Sequence, residues 1–513
     1  MQRIPFILTI IWFVCTIAGC KHPVTGAIAL RDTPGDSLSV MNKWCSTCHL
    51  SPGPELLTKK IWRENVLPNM GFRLGIKQAG YSPVEAYDMM EQTLVSEAKV
   101  YPDSALISNN DWTKISAYII SHAPDSLKAP LDTTSFLNEF VIKPMGELIQ
   151  MPMVTLLNFD SVARQFHIGQ ESGVLFCFDK EWKRIDSIHL HSTPIDYVAT
   201  GEGGLILTIG RMYPSERKLG SLLQYGNGHF HKILDALHRP VSITMVDMNG
   251  DHLDDALISE FGFETGRLAW FEGSDTGMIP IPRILKNTAG AVKCLLKDMD
   301  DDGIKDVIVL MAQGDEHISV YKMDKSGIHH EYKVLRFPPV HGVCDMDIMD
   351  VNRDGLPDLI VANGDNADYS QVIKPYHGIT IYLNKGSFLF EQSAFLPYPG
   401  VLHCLADDFD QDGDIDIAAT SFFPGDDTHP YAPFKYFENR SGIYIGKTFQ
   451  GSTHGKWMEM IRGDFDLDGD QDILLGSFLL NNIRVSGTRE ELKRNGLVLL
   501  VNKTRHNIEP IVK

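Results

Sequence analysis

Five short segments between residues 247 and 472 repeat one arrangement of acids, and nothing else in the chain restricts its fold as strongly. Asp247, Asn249, Asp251 and Asp255 form the first. Asp298, Asp300, Asp302 and Asp306 form the second, and Asp350, Asn352, Asp354 and Asp358 the third. Asp408, Asp410, Asp412 and Asp416 form the fourth, and Asp464, Asp466, Asp468 and Asp472 the fifth. Each reads DxD/NxDGxxD, with His252 in place of glycine in the first, and successive starts lie 51, 52, 58 and 56 residues apart. Alternating acids in a tight turn aim several oxygens at one point, and a glycine at the sixth position permits the bend. A hard cation such as Ca²⁺ satisfies that convergent charge, so about five Ca²⁺ are expected. An EF-hand needs a glutamate at position twelve and a helix after it. Here position twelve is Ile258, Val309, Val361, Ala419 or Leu475, and a strand-like run such as Asp306–Leu310 follows.

A cation loop between two strands, renewed every fifty or so residues, resembles the FG-GAP/VCBS repeats of β-propellers. The resemblance implies one four-stranded blade per repeat, with the acidic loop joining its first two strands. Later strands recur as well: Gly266–Glu272, His317–Lys322, Gly378–Asn384, Phe434–Asn439 and Gly496–Asn502. Thr155–Asp179 and Pro194–Tyr225 read as two further blades without the acids, the latter with Gly201-Glu202-Gly203-Gly204 at the turn. The expectation is an all-β propeller of seven blades over 150–505, with calcium loops in five. The resemblance bears on fold and not on activity.

Upstream, Trp44-Cys45-Ser46-Thr47-Cys48-His49 contains CxxCH. Two thiols at this spacing add across the two vinyl groups of haem, and the adjacent histidine turns back to the iron. A thioredoxin-like pair wants a βαβ setting and a zinc site wants a second cysteine pair; the sequence shows neither. Cys45 and Cys48 are therefore the expected covalent haem c attachments and His49 the proximal iron ligand. Segment 38–125 resembles a small all-α class I cytochrome c. It has a Pro/Gly-rich loop at Ser51–Glu55 and a short helix at Lys59–Val66. A second helix is opened by Ser82-Pro83, and a last helix, Trp112–His122, is capped by Asp111. Met70, read in a loop after a helix, is the candidate sixth ligand. Met89 and Met90 are expected in the core, and 126–149, with Pro130 and Pro144, reads as a linker.

The first twenty residues read as an export signal, 1–19, closing on Ile17-Ala18-Gly19-Cys20. This resembles a bacterial lipobox with Cys20 lipidated, which gives a protein anchored in the bacterial cell envelope (outer membrane, periplasmic or surface face) by lipid alone. Of the eight cysteines, Cys177, Cys294, Cys344 and Cys404 lie in strand-like runs and read as buried free thiols. The formal net charge of -19 argues against nucleic acid as a partner. Taken whole, the chain resembles the cytochrome–VCBS fusion lipoproteins of Bacteroidetes-type bacteria. Val66-Leu67-Pro68-Asn69-Met70, Asn363–Tyr369, Lys374–Gly378 and Ser421–Pro424 carry that impression, which lends architecture only.

Propellers usually bind ligands at a mouth of the central channel. His341, His403, His454 and Trp457 fall in the segments leading to the innermost strands and offer a polar, aromatic ring. The rival reading makes them loop and core residues. No Ser-His-Asp set, phosphate loop or dinucleotide fingerprint is present, so no catalytic constellation is identified. Two functions follow. One is a haem c electron-transfer protein whose propeller binds a redox partner or a small polar ligand. The other is a glycan- or protein-binding surface propeller with an accessory or sensory haem.

Overall fold

The computed structural model describes residues 34–149, 151–201, 203–226, 228–275, 277–366, 370, 372–425, 430–479 and 488–505. The export signal and Cys20 lie outside these residues. The chain divides into two compact units at residues 127 and 128.

The first unit is helical. Pro34–Cys45 ends at the first haem-motif cysteine, and Asn109–His122 packs against it. The last helix buries Ile115 and Ile119 on one face, as its spacing requires. Its cap is Ser108, whose Oγ accepts from Asp111 N at 3.0 Å, so the helix begins three residues before the expected Trp112. Asp111 instead accepts from the Trp44 indole at 3.3 Å. Ser82 opens only a 3-10 turn, Pro83–Ala86; the helix proper, Met89–Glu97, starts at Asp88 with Glu91 completing a capping box. Lys59–Arg73 runs as one helical stretch with a π-turn at Trp62–Val66. Met70 is thus half-buried in a helix and not in a loop. Met89 and Met90 are 86% and 56% exposed, so neither is a core residue.

The second unit is a seven-bladed β-propeller of seven sheets. Blade 1 spans 154–189, blade 2 194–237, blade 3 240–286, blade 4 291–336, blade 5 343–397, blade 6 401–448 and blade 7 457–502. Each blade's first strand is innermost, and consecutive first strands touch around the ring, the seventh meeting the first. Second strands are flanked on both edges and covered on both faces by neighbouring blades. All six residues of Asp255–Glu260, Asp306–Met311, Asp358–Asn363, Asp416–Ser421 and Asp472–Ser477 are accordingly buried. That is why these runs read as unbroken apolar stretches and not as alternating strands.

The segment read as a linker does more than connect. Ser135–Phe136 pairs in parallel with Ile443–Thr448 at the edge of blade 6. Phe140–Pro144 pairs antiparallel with Leu497–Asn502 as the outermost strand of blade 7, from Phe140 opposite Asn502 to Pro144 opposite Val498. A strand from before blade 1 therefore closes the last blade and locks the ring. Pro144 is tolerated because an outermost strand needs no outward N–H. Phe140, 4% exposed, packs with Phe409, Tyr436 and Trp457, a burial contributing about 1.5–3 kcal/mol.

Candidate functional site: acidic loops, channel and cysteine motif

The five acidic loops sit between first and second strands, 247–254 in blade 3 through 464–471 in blade 7. In blade 6, carboxylate oxygens of Asp408, Asp410 and Asp412 lie within 4.8 Å of one another, as do those of Asp464, Asp466 and Asp468 in blade 7 and of Asp298, Asp300 and Asp306 in blade 4. Among the described residues, Asp464 Oδ1 in blade 7 and Asp300 Oδ1 in blade 4 are buried with no hydrogen-bond partner. A converging acid trio with an orphaned buried oxygen suits a hard divalent cation. In blades 3 and 5 the second ligand position is an asparagine: Asn249 Nδ2 donates to Asp251 at 3.0 Å and Asn352 Nδ2 to Asp354 at 2.9 Å.

The last acid of each motif has a second task that its sequence position does not reveal. Asp255 accepts from Met248 N at 2.9 Å and Gly273 N at 2.7 Å, and Asp306 from Met299 N at 3.1 Å and Met323 N at 3.0 Å. Asp358 accepts from Val351 N and Asn384 N, and Asp472 from Phe465 N and Asn502 N. Asp416 accepts from Asn439 N at 2.7 Å and from the Tyr436 hydroxyl at 2.6 Å. Each of these fully buried carboxylates brackets the loop to the third strand of its own blade, with lone pairs left for a cation. Loops are also tied to the next blade. Asn384 Nδ2 donates to Met299 O, Asn502 Nδ2 to Phe409 O, Ile328 N to Met248 O and Gln411 Nε2 to Gly469 O.

The channel is lined by a charged cluster drawn from five blades. Lys293 of blade 4 reaches Asp345 of blade 5 at 2.8 Å, and His403 of blade 6 lies 3.2 Å from the same carboxylate. Arg462 of blade 7 pairs with Asp347 at 2.6 Å and Asp407 at 3.1 Å. Burial alone would raise Asp345, but Lys293 and His403 hold it well below the usual carboxylate range. Asp196 of blade 2 accepts from Ile243 N and Tyr197 N and is pushed up to about 6 by burial. Among the described residues, the Glu459 side chain of blade 7 has no hydrogen-bond or ion-pair partner. Burial, with Asp196 and Asp345 adding and His403 and Lys293 opposing, raises it to about 8. A cavity of about 510 Å³ lies between the first strands of blades 1 and 7, lined by Asn158, Arg462 and Asp464 among others.

Of the four channel candidates, His403 lines the channel. Trp457 is fully buried and donates to Ser452 O at 3.0 Å, so it is a core residue. His341 stacks on Phe337 and Tyr376 and is lowered to about 4 by burial, a packing histidine. His454 closes a short 3-10 turn. Asp196, Lys293 and Glu459 look like ordinary alternating polar positions in strands, and only ring closure brings them together. Cys177, Cys294, Cys344 and Cys404 are free; burial pushes Cys177 and Cys294 up to about 12, as inert core thiols require.

In the first unit, Cys45 ends a helix and Cys48 is exposed on the turn after it. His49 is buried, and its Nδ1–H donates to the Leu50 carbonyl at 2.8 Å. That bond fixes the tautomer with Nε2 as the free lone pair, the arrangement a metal-ligating histidine uses. Burial raises the Cys45 thiol to about 11, the opposite of the activated thiolate of a dithiol oxidoreductase. The donor set therefore fits a covalently attached haem, which Cys45 and Cys48 would anchor and His49 would ligate through Nε2.

Comparison with known proteins bears on the propeller. The FG-GAP-like repeat family matches residues 298–361 and 350–419. No curated protein matches the chain. Among solved structures, the Neurospora crassa Pan2 WD40 domain is similar at 10% identity and TM-score 0.42, covering 69% of this chain and 90% of that one. The N-terminal domain of Nup159 is similar at 9% identity and TM-score 0.41, covering 73% and 98%. A luciferin-regenerating enzyme is similar at 11% identity and TM-score 0.34, covering 60% and 94%. The chain thus carries FG-GAP-like repeats within a seven-bladed propeller.

Proposed function

We propose that this chain is an exported haem c electron-transfer lipoprotein whose calcium-stiffened propeller binds a partner or a small polar ligand. The observation that carries the haem half is His49: buried, next to the CxxC pair, with Nδ1 occupied and Nε2 free. When bound, haem c supplies one-electron transfer. The protein's part is to anchor it through Cys45 and Cys48, to ligate through His49, and to set the potential through a sixth ligand, for which Met70 is the candidate. Co-expression with a cytochrome c maturation system should give a chain that stains for haem on a denaturing gel. Cys45→Ala with Cys48→Ala should abolish the stain. Met70→Ala should keep it while changing the reduced spectrum and lowering the potential. Absence of stain in the parent chain removes the haem reading.

Cys20 is proposed as the lipidation site. Labelled palmitate should enter the parent chain and not Cys20→Ala.

A second reading is favoured by the channel. An unpaired Glu459 beside a mixed-charge cluster, with a cavity of about 510 Å³ opening next to Arg462, offers room and polarity for a small ligand. On that reading the propeller is the working part and haem is accessory. Ligands that shift the melting temperature without touching the haem spectrum favour it; ligands that shift both favour the electron-transfer unit. Halves expressed for comparison must be cut at 127/128, because a propeller starting at 150 lacks the closing strand Phe140–Pro144.

A further inference from the structure

We infer that the acidic loop of blade 4 is closed by the chain's own cation, the Lys322 ammonium, so that the protein binds calcium at four of its five acidic loops. This rests on the calcium reading of the other loops. Lys322 lies on the third strand of blade 4, His317–Asp324. Its Nζ donates to Asp300 Oδ2 and, at 2.9 Å, to Asp302 Oδ2, and leaves Asp300 Oδ1 buried without a partner among the described residues. Both acids belong to the alternating set that would hold an ion. The ammonium stands over the Phe388 ring of blade 5 at 5.8 Å, and the side chain is 22% exposed. It is therefore a seated cation and not a loose surface arm.

The equivalent position in the other blades is fixed by the bracket bonds. The residue after Lys322, Met323, donates its N–H to Asp306. Its counterparts are Gly273, Asn384, Asn439 and Asn502, which donate to Asp255, Asp358, Asp416 and Asp472. The residues preceding those are Glu272, Leu383, Glu438 and Val501. Blades 3 and 6 thus add an acid where blade 4 places a base, and blades 5 and 7 place an apolar residue.

Calcium entering the blade 4 loop would have to expel the ammonium. Two charge-assisted hydrogen bonds would be lost, and a lysine would remain close to a divalent ion. A monovalent ammonium with directed N–H bonds holds the loop without calcium. Blade 4 is then the one acidic blade whose turn stays organised when calcium is low.

The test is metal stoichiometry on the full chain, stripped of divalent ions, redialysed against calcium and read by elemental analysis. The parent chain should hold four calcium ions and Lys322→Met five. Asp300→Asn, an independent variant, should leave the count at four, whereas Asp466→Asn should lower it to three. Five ions in the parent chain, an unchanged count in Lys322→Met, or loss of an ion in Asp300→Asn would each overturn the assignment to Lys322 while leaving the calcium reading intact. No bound calcium in any variant would remove that reading and the inference with it.

Discussion

Blades 1 and 2 reach the same four-stranded form as blades 3 to 7 without an acidic loop, and the two groups hold their first turns by different physics. Blade 1 uses a short turn, 161–164, with Asp160 Oδ1 accepting from Val162 N and Ala163 N, both at 2.9 Å. Above it Phe166 stacks on Trp182, with ring centroids 3.9 Å apart, and Phe159 and Phe465 pack edge-on. Blade 2 turns between Thr200 and Gly203, and His167 stacks on Tyr197 across the boundary with blade 1. Gly203 has φ +143°, and a Cβ there would sit 2.0 Å from Tyr225 O. These blades close with short turns and aromatic packing. Blades 3 to 7 carry longer loops whose acids repel one another until a cation is present. A propeller blade therefore forms without an acidic loop; on the proposed calcium reading, a cation is called for only where a turn has been lengthened around acids.

The largest effect should come from chelation. Each occupied loop at a hundredfold excess over its dissociation constant contributes about 2.7 kcal/mol, and several loops share one ring. Excess chelator should lower the propeller's melting temperature and open protease sites first in the loops of blades 3, 5, 6 and 7. Blades 1 and 2 should yield last, and blade 4 should resemble them because of Lys322. Mass mapping of a limited digest with and without chelator reads this directly. Cuts spread evenly over all seven blades would mean that the two groups do not differ.

Single substitutions divide the acids by task. Asp472→Ala removes a fully buried acceptor of Phe465 N and Asn502 N, leaving two buried donors unpaired. It should cost about 2–4 kcal/mol in calcium and in chelator alike. Asp466→Ala should cost less, and only while calcium is present. Chemical denaturation of both variants under both conditions separates bracket from ligand; equal calcium dependence would merge the two tasks. In the acid-free group, Gly203→Ala should cost about 1–3 kcal/mol, independent of calcium, because its strain is steric.

The acid repeats made five blades legible, because oxygens at alternate positions with a glycine bend have little other use. The upstream blades were legible from their strand runs. What was not legible depends on contacts between residues far apart in sequence. Phe140–Pro144 looked like linker because its partner, Leu497–Asn502, lies at the other end of the ring. In the sequence Lys322 was legible only as the end of the strand run His317–Lys322. Asp255 and its equivalents looked like plain ligands, since their backbone donors sit on the third strand. In the helical unit, Ser108 took the cap expected of Asp111 because the helix starts a turn earlier, freeing Asp111 for the Trp44 indole. Trp457 looked like a mouth residue because it opens an inner strand, yet its indole turns into the core beside Phe449.

The smallest expected effect concerns the axis, where both groups of blades meet. Glu459 of blade 7 faces Asp196 of the acid-free blade 2, together with Asp345 of blade 5, His403 of blade 6 and Lys293 of blade 4. Its folded value of about 8 lies above the roughly 4.3 of an unfolded glutamate. Between those values the folded chain keeps a proton that the unfolded chain has released. Stability contributed by that proton is therefore full at low pH, falls as pH rises through the window, and levels off above about 8. Asp196 and His403, both raised, act in the same direction, whereas the buried His167, His238 and His341, each lowered to about 4, act in the opposite one, so the contribution of Glu459 is read as the difference between parent and variant in saturating calcium. Glu459→Gln keeps the shape and removes the charge. It should raise the melting temperature at pH 8.5, by the equivalent of about 1 kcal/mol once channel solvent is allowed for, and leave pH 5 nearly unchanged. The same gain at both pH values would show that Glu459 does not titrate in this window, and that the charge balance of the axis is set by the lysine, arginine and aspartate pairs alone.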